Sequence, residues 1–393
     1  MKKKKNDLDS DEATATLTVR DRPDPPHSIR LLSCLTRSAT ISWSWEDGYE
    51  NNAELEEFIV FYNTSFDEEG QFHKSHSVSK GTLESGDITL SPWANFTFHV
   101  KAKNELGLSE PSEFSRVCTT QAAKPEHHPK NVCTESREPD QLVIVWDVVE
   151  QIDQNGEDFK YTVHYKRTDI PGLREEMVEI TNWRQGEFVV HNQEPFKEYE
   201  IMVKSHNDKG EAPKRTLEKK LGYSGEDVPL VTPEDFALEE DTLNATSAEF
   251  TWEPVDDDPE LIRGHFKGYL IKFWKSDNPD EKREHLVPVG KYEPCPDIES
   301  KRGRGRRAAD VDRGHVMNLW PYSTITAGVL VVNGGKEGDM SNTIEFDTPE
   351  GVPGIVGSLE VTETGSHHLK LEWSKPVEPN GIIIGYTIGW QEA

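Results

Sequence analysis

Long hydrophobic stretches are missing from this 393-residue sequence. No run approaches the roughly eighteen apolar residues that a membrane-spanning helix requires. The amino terminus, Met1 followed by Lys2 to Lys5, has no apolar run behind it and therefore does not resemble a signal peptide. We expect neither a membrane span nor a leader, which fits either a cytoplasmic protein or a piece of a longer one.

Catalytic and metal-binding motifs are missing as well. The sequence contains no glycine-rich phosphate loop, nucleophile elbow, HExxH motif or paired carboxylates on a common scaffold. The pairs His127-His128 and His367-His368 chelate poorly, because one lies in a linker and neighbours on a strand face opposite ways. Asp256–Asp258 resembles calcium ligands, but no further spaced ligand accompanies it, so we favour a solvated loop. We expect no catalytic residue, cofactor or metal.

Positive charge is scarce. The chain has 44 lysines and arginines against 72 aspartates and glutamates, a net charge of −28. Such a surface repels the phosphate backbone, which excludes a general nucleic-acid-binding role. The local exception is the segment KRGRGRR at residues 301 to 307.

Cysteine is also scarce: four residues are too few for a disulfide scaffold and too scattered for a zinc knuckle. Cys34 precedes the first tryptophan strand described below, and Cys118 ends the same unit. A bridge between them would remove about 4 to 5 kcal/mol of chain entropy from the unfolded state. We predict this bridge in an oxidising compartment, the alternative being four free buried thiols. Cys133 and Cys295 have no comparable partners.

What the sequence does contain is one strand motif repeated four times. Each copy alternates apolar and polar residues and carries a tryptophan, namely Trp43, Trp146, Trp252 or Trp373. This alternation predicts a strand with one buried face. The tryptophans recur at intervals of 103, 106 and 121 residues, about the size of one small β-sandwich. We therefore predict an all-β chain built as an extended array of sandwiches.

The linkers divide this array into five parts. Proline-containing segments separate the units and favour a semi-rigid arrangement. The alternation at Ala13, Ala15, Leu17 and Val19 predicts one strand that has no partner in its own part, and the last part has only about three strands. Both ends therefore suggest a fragment. The predicted parts are a residual strand (1–20), three complete domains (21–122, 123–224 and 225–349, the last with a basic insertion near 291–314) and a truncated domain (350–393).

A second phrase also recurs, in which alternating apolar residues lead to asparagine and glycine. In the second unit it is Tyr199, Ile201 and Val203, followed by Asn207 and Gly210. Together with the tryptophan strand, this order resembles fibronectin type III domains, which are immunoglobulin-like sandwiches. The resemblance implies a tryptophan packed between two sheets and a corner hydrogen bond from Tyr199. Phe96 and Ile325 occupy the matching places and cannot make that bond.

Five phrases narrow the resemblance further: SPWANFTF, NWRQG, GYSGEDVPL, RGHFKGYLI and FDTPEGVP. In this order they resemble the L1-type neural cell adhesion molecules, including neuroglian-like and nematode members, over nearly the whole chain. The resemblance implies immunoglobulin domains before the array, and a membrane span and an ankyrin-binding tail after it, outside this chain. It also implies a first-domain bridge matching Cys34 and Cys118, and a location at the extracellular face of the plasma membrane.

Two kinds of modification site follow. Asn63, Asn95 and Asn244 begin Asn-x-Ser/Thr sequons. Arg304, Arg306 and Arg307 match the Arg-x-Lys/Arg-Arg pattern of a secretory proprotein convertase, and the resemblance implies a basic cleavage site in this third domain. We favour cleavage after Arg307; the alternatives are a heparan-sulfate patch and a solvated loop.

The resulting hypothesis is a neuronal adhesion receptor that binds protein partners. These would be adhesion receptors of the same family, receptors with immunoglobulin-like or leucine-rich-repeat ectodomains, or secreted ligands. We expect Phe236 and Tyr223 to be exposed apolar groups beside the linkers and interpret them as interdomain packing rather than partner contacts. The alternatives are an intracellular fibronectin-type scaffold and a soluble shed or spliced fragment.

Overall fold

The computed structural model describes residues 2–5, 10–290, 295 and 311–391 of the chain. Within these residues the chain is almost entirely β-structure, as predicted. Three successive units each pair a three-stranded sheet with a five-stranded sheet, and every strand pairing is antiparallel. The all-β sandwich array expected from the sequence is confirmed.

The first sandwich lies within the predicted range 21–122. Its sheets have the strand orders β3-β4-β7 and β10-β8-β5-β6, with β9 attached to β8. The strands β3 to β10 are, in order, His27–Cys34, Ser38–Ser44, Leu55–Thr64, His73–Ser79, Ile88–Thr89, Asn95–Asn104, Gly107–Leu108 and Cys118–Thr119.

The second sandwich repeats this layout within 123–224. Its sheets are β11-β12-β15 and β14-β13-β16-β17, with β18 attached to β16. The strands β11 to β18 are Cys133–Glu135, Leu142–Val145, Lys160–Arg167, Glu176–Ile180, Glu187–Val190, Glu198–Asn207, Gly210–Glu211 and Lys220–Tyr223. Two 3₁₀ turns, Gln151–Asp153 and Lys214–Thr216, complete the unit.

The third sandwich lies within 225–349. Its sheets are β19-β20-β23 and β22-β21-β24-β25, with β26 attached to β24. The strands β19 to β26 are Glu234–Leu238, Ser247–Glu253, Gly268–Lys275, Asn278–Pro288, Arg313–Met317, Thr324–Val332, Glu337–Met340 and Ile344–Asp347. A 3₁₀ turn, Glu240–Thr242, and a short helix α1, Pro259–Ile262, lie between strands.

Strict alternation explains why the tryptophan strands form. In β4 every second residue is buried, so Ala39, Ile41 and Trp43 face the core while the serines and threonines between them face outward. In β20 the same register buries Ala248 and Trp252. The core of each sandwich therefore lies between its two sheets, against the tryptophan.

The beginning of the chain differs from the prediction. The strand expected at 13–19 is absent; instead β1, Lys2–Lys5, and β2, Ser10–Ala13, form an antiparallel hairpin. Leu17 and Val19 are largely exposed, because no strand of the described chain lies beside them to bury their alternating face. The following backbone is instead hydrogen-bonded to the first sandwich, with Asp21 N–H donating to the Asn51 carbonyl at 3.2 Å.

The fourth unit contains two strands where about three were expected. They are β27, Gly357–Thr364, and β28, Leu369–Ser374, and they pair with each other. Trp373, predicted as a core residue, is only half-buried, because no second sheet covers it within the described residues. Its indole contacts Tyr386 edge-on, with ring centroids 5.4 Å apart.

Candidate functional site

The three buried tryptophans each contact an aromatic ring of the next strand in the sequence, which belongs to the opposite sheet. Trp43 packs edge-on against Phe58, Trp146 packs edge-on against Tyr161, and Trp252 lies against Tyr269. All three indoles are at most 5% exposed. Burying one such side chain contributes about 1.5 to 3 kcal/mol, so these pairs define the three cores.

Tyr161 and Tyr269 were not singled out from the sequence. Each hydroxyl accepts a hydrogen bond at 2.9 Å from a backbone N–H, that of Val149 or Val255. Burial raises the pKa of Tyr161 to about 12, so this phenol remains a neutral donor and acceptor. The sequence signal that could have identified these two tyrosines is the aromatic residue at the same place in the strand after each tryptophan.

Tyr199 is buried as expected, but its hydrogen bond differs from the expected corner. Its hydroxyl donates to the side-chain carbonyl of Gln193 at 2.5 Å, not to backbone. Burial raises the pKa of Tyr199 to about 12. Phe96 and Ile325, at the matching positions, are also buried, but their side chains have no hydroxyl to donate. The corner therefore belongs to the second sandwich and has a side-chain acceptor.

Two disulfides join the four cysteines. Cys34 and Cys118 are bonded with their Cα atoms 5.7 Å apart, connecting β3 to β10 within the first sandwich. Cys133 and Cys295 are bonded with their Cα atoms 5.3 Å apart, and this second bond connects β11 to the insertion of the third sandwich. Sequence reasoning left this second pair open, since its members lie in different units; the even number of cysteines was the available signal.

In each sandwich, an asparagine donates a hydrogen bond to the linker that precedes that sandwich. Asn207 Nδ2 donates to the Ala123 carbonyl at 2.7 Å and to the Gln154 carbonyl at 2.9 Å. Asn333 Nδ2 donates in the same way to the carbonyls of Asp227 and Ile262, and Asn104 Nδ2 donates to those of Asp21 and Glu50. These asparagines, which we call the linker asparagines, are nearly fully buried. The sequence showed their recurrence but not their partners.

The joint between the second and third sandwiches is packed as well as hydrogen-bonded. Tyr223 stacks on Phe196, with centroids 4.7 Å apart, and both rings meet His265 edge-on. Glu226 accepts hydrogen bonds from the backbone N–H and Nδ1 of His265 at 3.0 and 2.7 Å. Tyr223 thus contributes to interdomain packing. The other proposed linker residue, Phe236, does not.

Phe236 lies inside the third core. It is 2% exposed and stacks on Phe250 with centroids 5.2 Å apart. The expectation that it is an exposed group beside the linker was wrong, because the alternation of β19 turns it inward.

Two predicted sequons interlock at one end of the first sandwich. Thr97 of the Asn95 sequon donates its hydroxyl to Asn63 Oδ1, and Thr119 donates its hydroxyl to Asn95 Oδ1 at 2.7 Å. In both asparagines the oxygen accepts, which leaves Nδ2, the atom that carries an N-glycan, out of these bonds. Asn95 is exposed and Asn63 half-buried. Asn244 is exposed, and its Nδ2 donates to the Thr242 carbonyl at 3.0 Å.

The basic segment with Arg304, Arg306 and Arg307 lies outside the described residues. Asp258 caps α1, where its carboxylate accepts from the Glu260 N–H at 2.9 Å. No group of three or more metal-ligating side chains occurs in the part of the chain that the structure describes. Within the same residues, no helix is long and apolar enough to cross a membrane.

Paired sheets of three and five strands around a tryptophan, repeated along the chain, define a tandem fibronectin type III array. The fibronectin domains 1–3 of chicken CNTN1 share this fold, with a TM-score of 0.51 over 84% of this chain and 99% of theirs. Sequence identity to that fragment is 21%, so this likeness concerns the fold alone. No family model matches the chain.

The chain belongs to the L1-type family of neural cell adhesion molecules, as its sequence relatives show. It is 36% identical to neuroglian of Drosophila melanogaster over 385 residues. It is 33% identical to neuronal cell adhesion molecule and 32% identical to neurofascin, both of Gallus gallus. Each match covers 98% of this chain but 27 to 29% of the relative, so the chain spans less than a third of their length. One of these relatives, the neuronal cell adhesion molecule, is named for adhesion.

Proposed function

We propose that the chain is an ectodomain segment of a neuronal cell-surface adhesion receptor that supports homophilic or heterophilic adhesion and receptor-complex assembly in axon and dendrite development. The observation that carries this proposal is the set of closed joints, considered with the family. A linker asparagine fixes each linker to its own sandwich, and aromatic packing and a disulfide brace the second joint. An array braced in this way holds adhesive surfaces at defined positions.

The partners we propose are other adhesion receptors of the same family or with immunoglobulin-like or leucine-rich-repeat ectodomains, and secreted ligands. To test this, the chain would be displayed on beads and mixed with cells that express individual candidate ectodomains. The expected result is selective clustering with at least one receptor. The matched control carries Asn207→Ala and Asn333→Ala. These substitutions remove the hydrogen bonds to two linkers, and both residues are buried, so the exposed surface keeps its composition. Absence of clustering with every receptor would contradict the proposal.

We further propose N-glycosylation at Asn63, Asn95 and Asn244. The amide oxygens of the first two already accept hydrogen bonds, an arrangement that remains possible after a sugar is attached to Nδ2. Peptide mass spectrometry of secreted chain would show the sugars. Unmodified asparagines together with free thiols at Cys34 and Cys118 in native material would instead favour an intracellular scaffold.

We also propose cleavage after Arg307 by a secretory convertase whose acidic subsites pair with Arg304, Arg306 and Arg307. Replacing Arg304 and Arg307 with alanine is expected to abolish the two-fragment pattern on a denaturing gel. Nicking that persists at the same place would refute this site. If the variant instead loses salt-sensitive binding to heparin without a change in fragmentation, the heparan-sulfate alternative is favoured.

A further inference from the structure

An aromatic cluster lies on the outer face of the five-stranded sheet of the first sandwich. Phe61 stacks on His99 with centroids 5.2 Å apart, and Phe72 meets His99 edge-on at 4.7 Å. Phe114 stacks on Phe72 at 5.7 Å. We call these four residues the outer aromatic cluster. It faces away from the main core, which Phe58, Phe98 and their neighbours fill on the opposite face of the same strands.

Part of this cluster remains open to solvent. His99 is only 3% exposed, whereas Phe114 is 54% exposed. Phe61 and Phe72 are half-buried. An aromatic face of this kind offers apolar surface to a ligand.

Asn63 stands next to this cluster on the same face. It follows Phe61 by two residues on β5, so both side chains project from one side of the sheet, about 7 Å apart along the strand. In the register with β8, Asn63–Thr97 is the next pair on this face after Phe61–His99, and the core-facing pair Tyr62–Phe98 lies between them. Lys101, whose Nζ lies 5.8 Å from the Phe61 ring centroid, pairs with Ile59 and therefore lies on the other side of Phe61 from Asn63. The side toward Asn63 is where an attached sugar would lie.

The other two sequons lack this arrangement. The residue two before Asn95 is Trp93, whose backbone has a φ of 58° and therefore interrupts the strand alternation. The residue two before Asn244 is Thr242, which ends a 3₁₀ turn. Of the three sequons, the one at Asn63 has an aromatic ring on its own strand face.

We infer that the outer aromatic cluster is a platform for the chain's own N-glycan, and that the first N-acetylglucosamine on Asn63 packs its C–H face against Phe61. This inference rests on the glycosylation of Asn63 proposed above. Aromatic faces carry partial negative charge, which attracts the slightly positive C–H groups of a sugar ring. The hydrogen bond from Thr97 to Asn63 Oδ1 fixes the amide, which reduces the ordering needed for that contact.

A glycan lying over Phe61 and the neighbouring rings shields this sheet face from protein partners. Adhesive contacts of the first sandwich would then use other surfaces.

The test is a double-mutant cycle in the full chain secreted from animal cells. Ser65→Ala removes the sequon at Asn63 while keeping the asparagine, and Phe61→Thr removes the ring while keeping a β-branched residue in the strand. Asn95→Gln serves as the matched control, because it removes a glycan from the same sandwich. Hydrogen exchange of peptides from β5 and β8 reports local stability.

The expected result is that Ser65→Ala speeds exchange in β5 by about three-fold when Phe61 is present and by much less when it is threonine. Asn95→Gln should have the same effect in both backgrounds. Glycan trimmed enzymatically to one N-acetylglucosamine should keep the protection, and its proton resonances should lose their ring-current shift in Phe61→Thr. Equal effects of Ser65→Ala in both backgrounds overturn the packing but not the glycosylation. Mass spectrometry that finds Asn63 unmodified overturns both.

Discussion

His99 is a titratable side chain held in apolar surroundings. It lies in the outer aromatic cluster, and its ring contacts Phe61, Phe72 and Phe114. Burial, with a smaller contribution from the positive charge of Lys101, lowers the pKa of His99 to about 4. The folded first sandwich therefore keeps this imidazole neutral at a pH where an exposed histidine takes up a proton.

This lowered pKa predicts acid sensitivity of the first sandwich. Between the ordinary histidine pKa of about 6.5 and the folded value of about 4, the unfolded chain binds more protons than the folded chain. The free energy of unfolding therefore falls as pH drops through this window. From pH 7 to pH 5 we expect His99 to account for a loss of about 2 kcal/mol.

The measurement is urea unfolding at pH 7 and pH 5, with hydrogen exchange of β8 peptides to isolate the first sandwich. His99→Phe preserves a flat ring in the stack and should flatten the pH dependence. The same slope in both chains would show that His99 is not the responsible group. His128, buried in the second sandwich with its own lowered pKa, should affect only that unit.

At the scale of elements, three serines occupy the edge of the first sandwich between the short strands β9 and β10. Ser109, Ser112 and Ser115 lie beside β8, where each N–H donates to a β8 carbonyl. Each serine hydroxyl accepts from the N–H of the same β8 residue, which is Ala102, Val100 or Phe98, at 3.0 to 3.1 Å. We call this arrangement the serine ladder. It completes the hydrogen bonds of β8 without presenting a regular free edge to other chains.

The serine ladder predicts an asymmetry between neighbouring substitutions. Ser112→Ala removes the acceptor of the buried Val100 N–H and should destabilise the first sandwich by about 1 to 3 kcal/mol. Glu110→Ala, in the same segment but with an exposed side chain, should change stability by less than about 0.5 kcal/mol. Hydrogen exchange at Val100 is the direct readout. Unchanged exchange in Ser112→Ala would mean that the hydroxyl is not a needed partner.

The elements also show what the sequence could predict. The strand of Trp252 was predictable because apolar and polar residues alternate strictly and two of the apolar residues are aromatic. The strand expected at 13–19 has the same alternation but no neighbouring sheet, and pairing decides whether a strand forms. The serine ladder was missed because side-chain acceptors spaced by three follow neither strand nor helix periodicity.

For the candidate site, local signals predicted residues and could not predict partners that lie far away in the sequence. The sequons and the repeated asparagines were visible in the sequence. The two carbonyls that Asn207 binds, however, lie 53 and 84 residues away from it along the chain. Cys133 and Cys295 are 162 residues apart and meet only because β11 lies near the next unit. Such contacts depend on how the strands pack within a sandwich and on how the sandwiches are joined. No local sequence pattern encodes either.

At the scale of the whole molecule, the joints combine short-range contacts of different kinds. Between the first two sandwiches, Arg37 pairs with Glu126 at 2.7 Å, and Ile152 packs against the first core. Between the second and third, Lys197 pairs with Glu260 beside the Tyr223 stack. Exposed ion pairs contribute little by themselves, so packing and the buried asparagines carry most of the joint stability.

The third sandwich would be cut between its strands by the proposed cleavage after Arg307. One fragment would hold β19 to β22 and the other β23 to β26, and these strands share one core. β21 pairs with β24 along its whole length, from Gly268–Val332 to Lys275–Ile325, and β20 pairs with β23. Trp252 and Tyr269 from one side pack with Val316 and Val329 from the other in a single buried cluster.

We therefore predict that the cleaved chain remains one particle held without a covalent link. Cys295 lies before Arg307, so the Cys133–Cys295 disulfide joins two parts of the same fragment and cannot retain the other. Cleaved chain should elute as one species on size-exclusion chromatography, yet give two bands on a denaturing gel with or without reductant. Val329→Asp, which places a charge in the shared core, should release the fragments only from the cleaved chain, whereas the exposed control Met317→Asp should not. Two eluting species from unmutated cleaved chain would contradict the shared core, because strands that pair over eight residues and bury a common tryptophan have no cause to separate under native conditions.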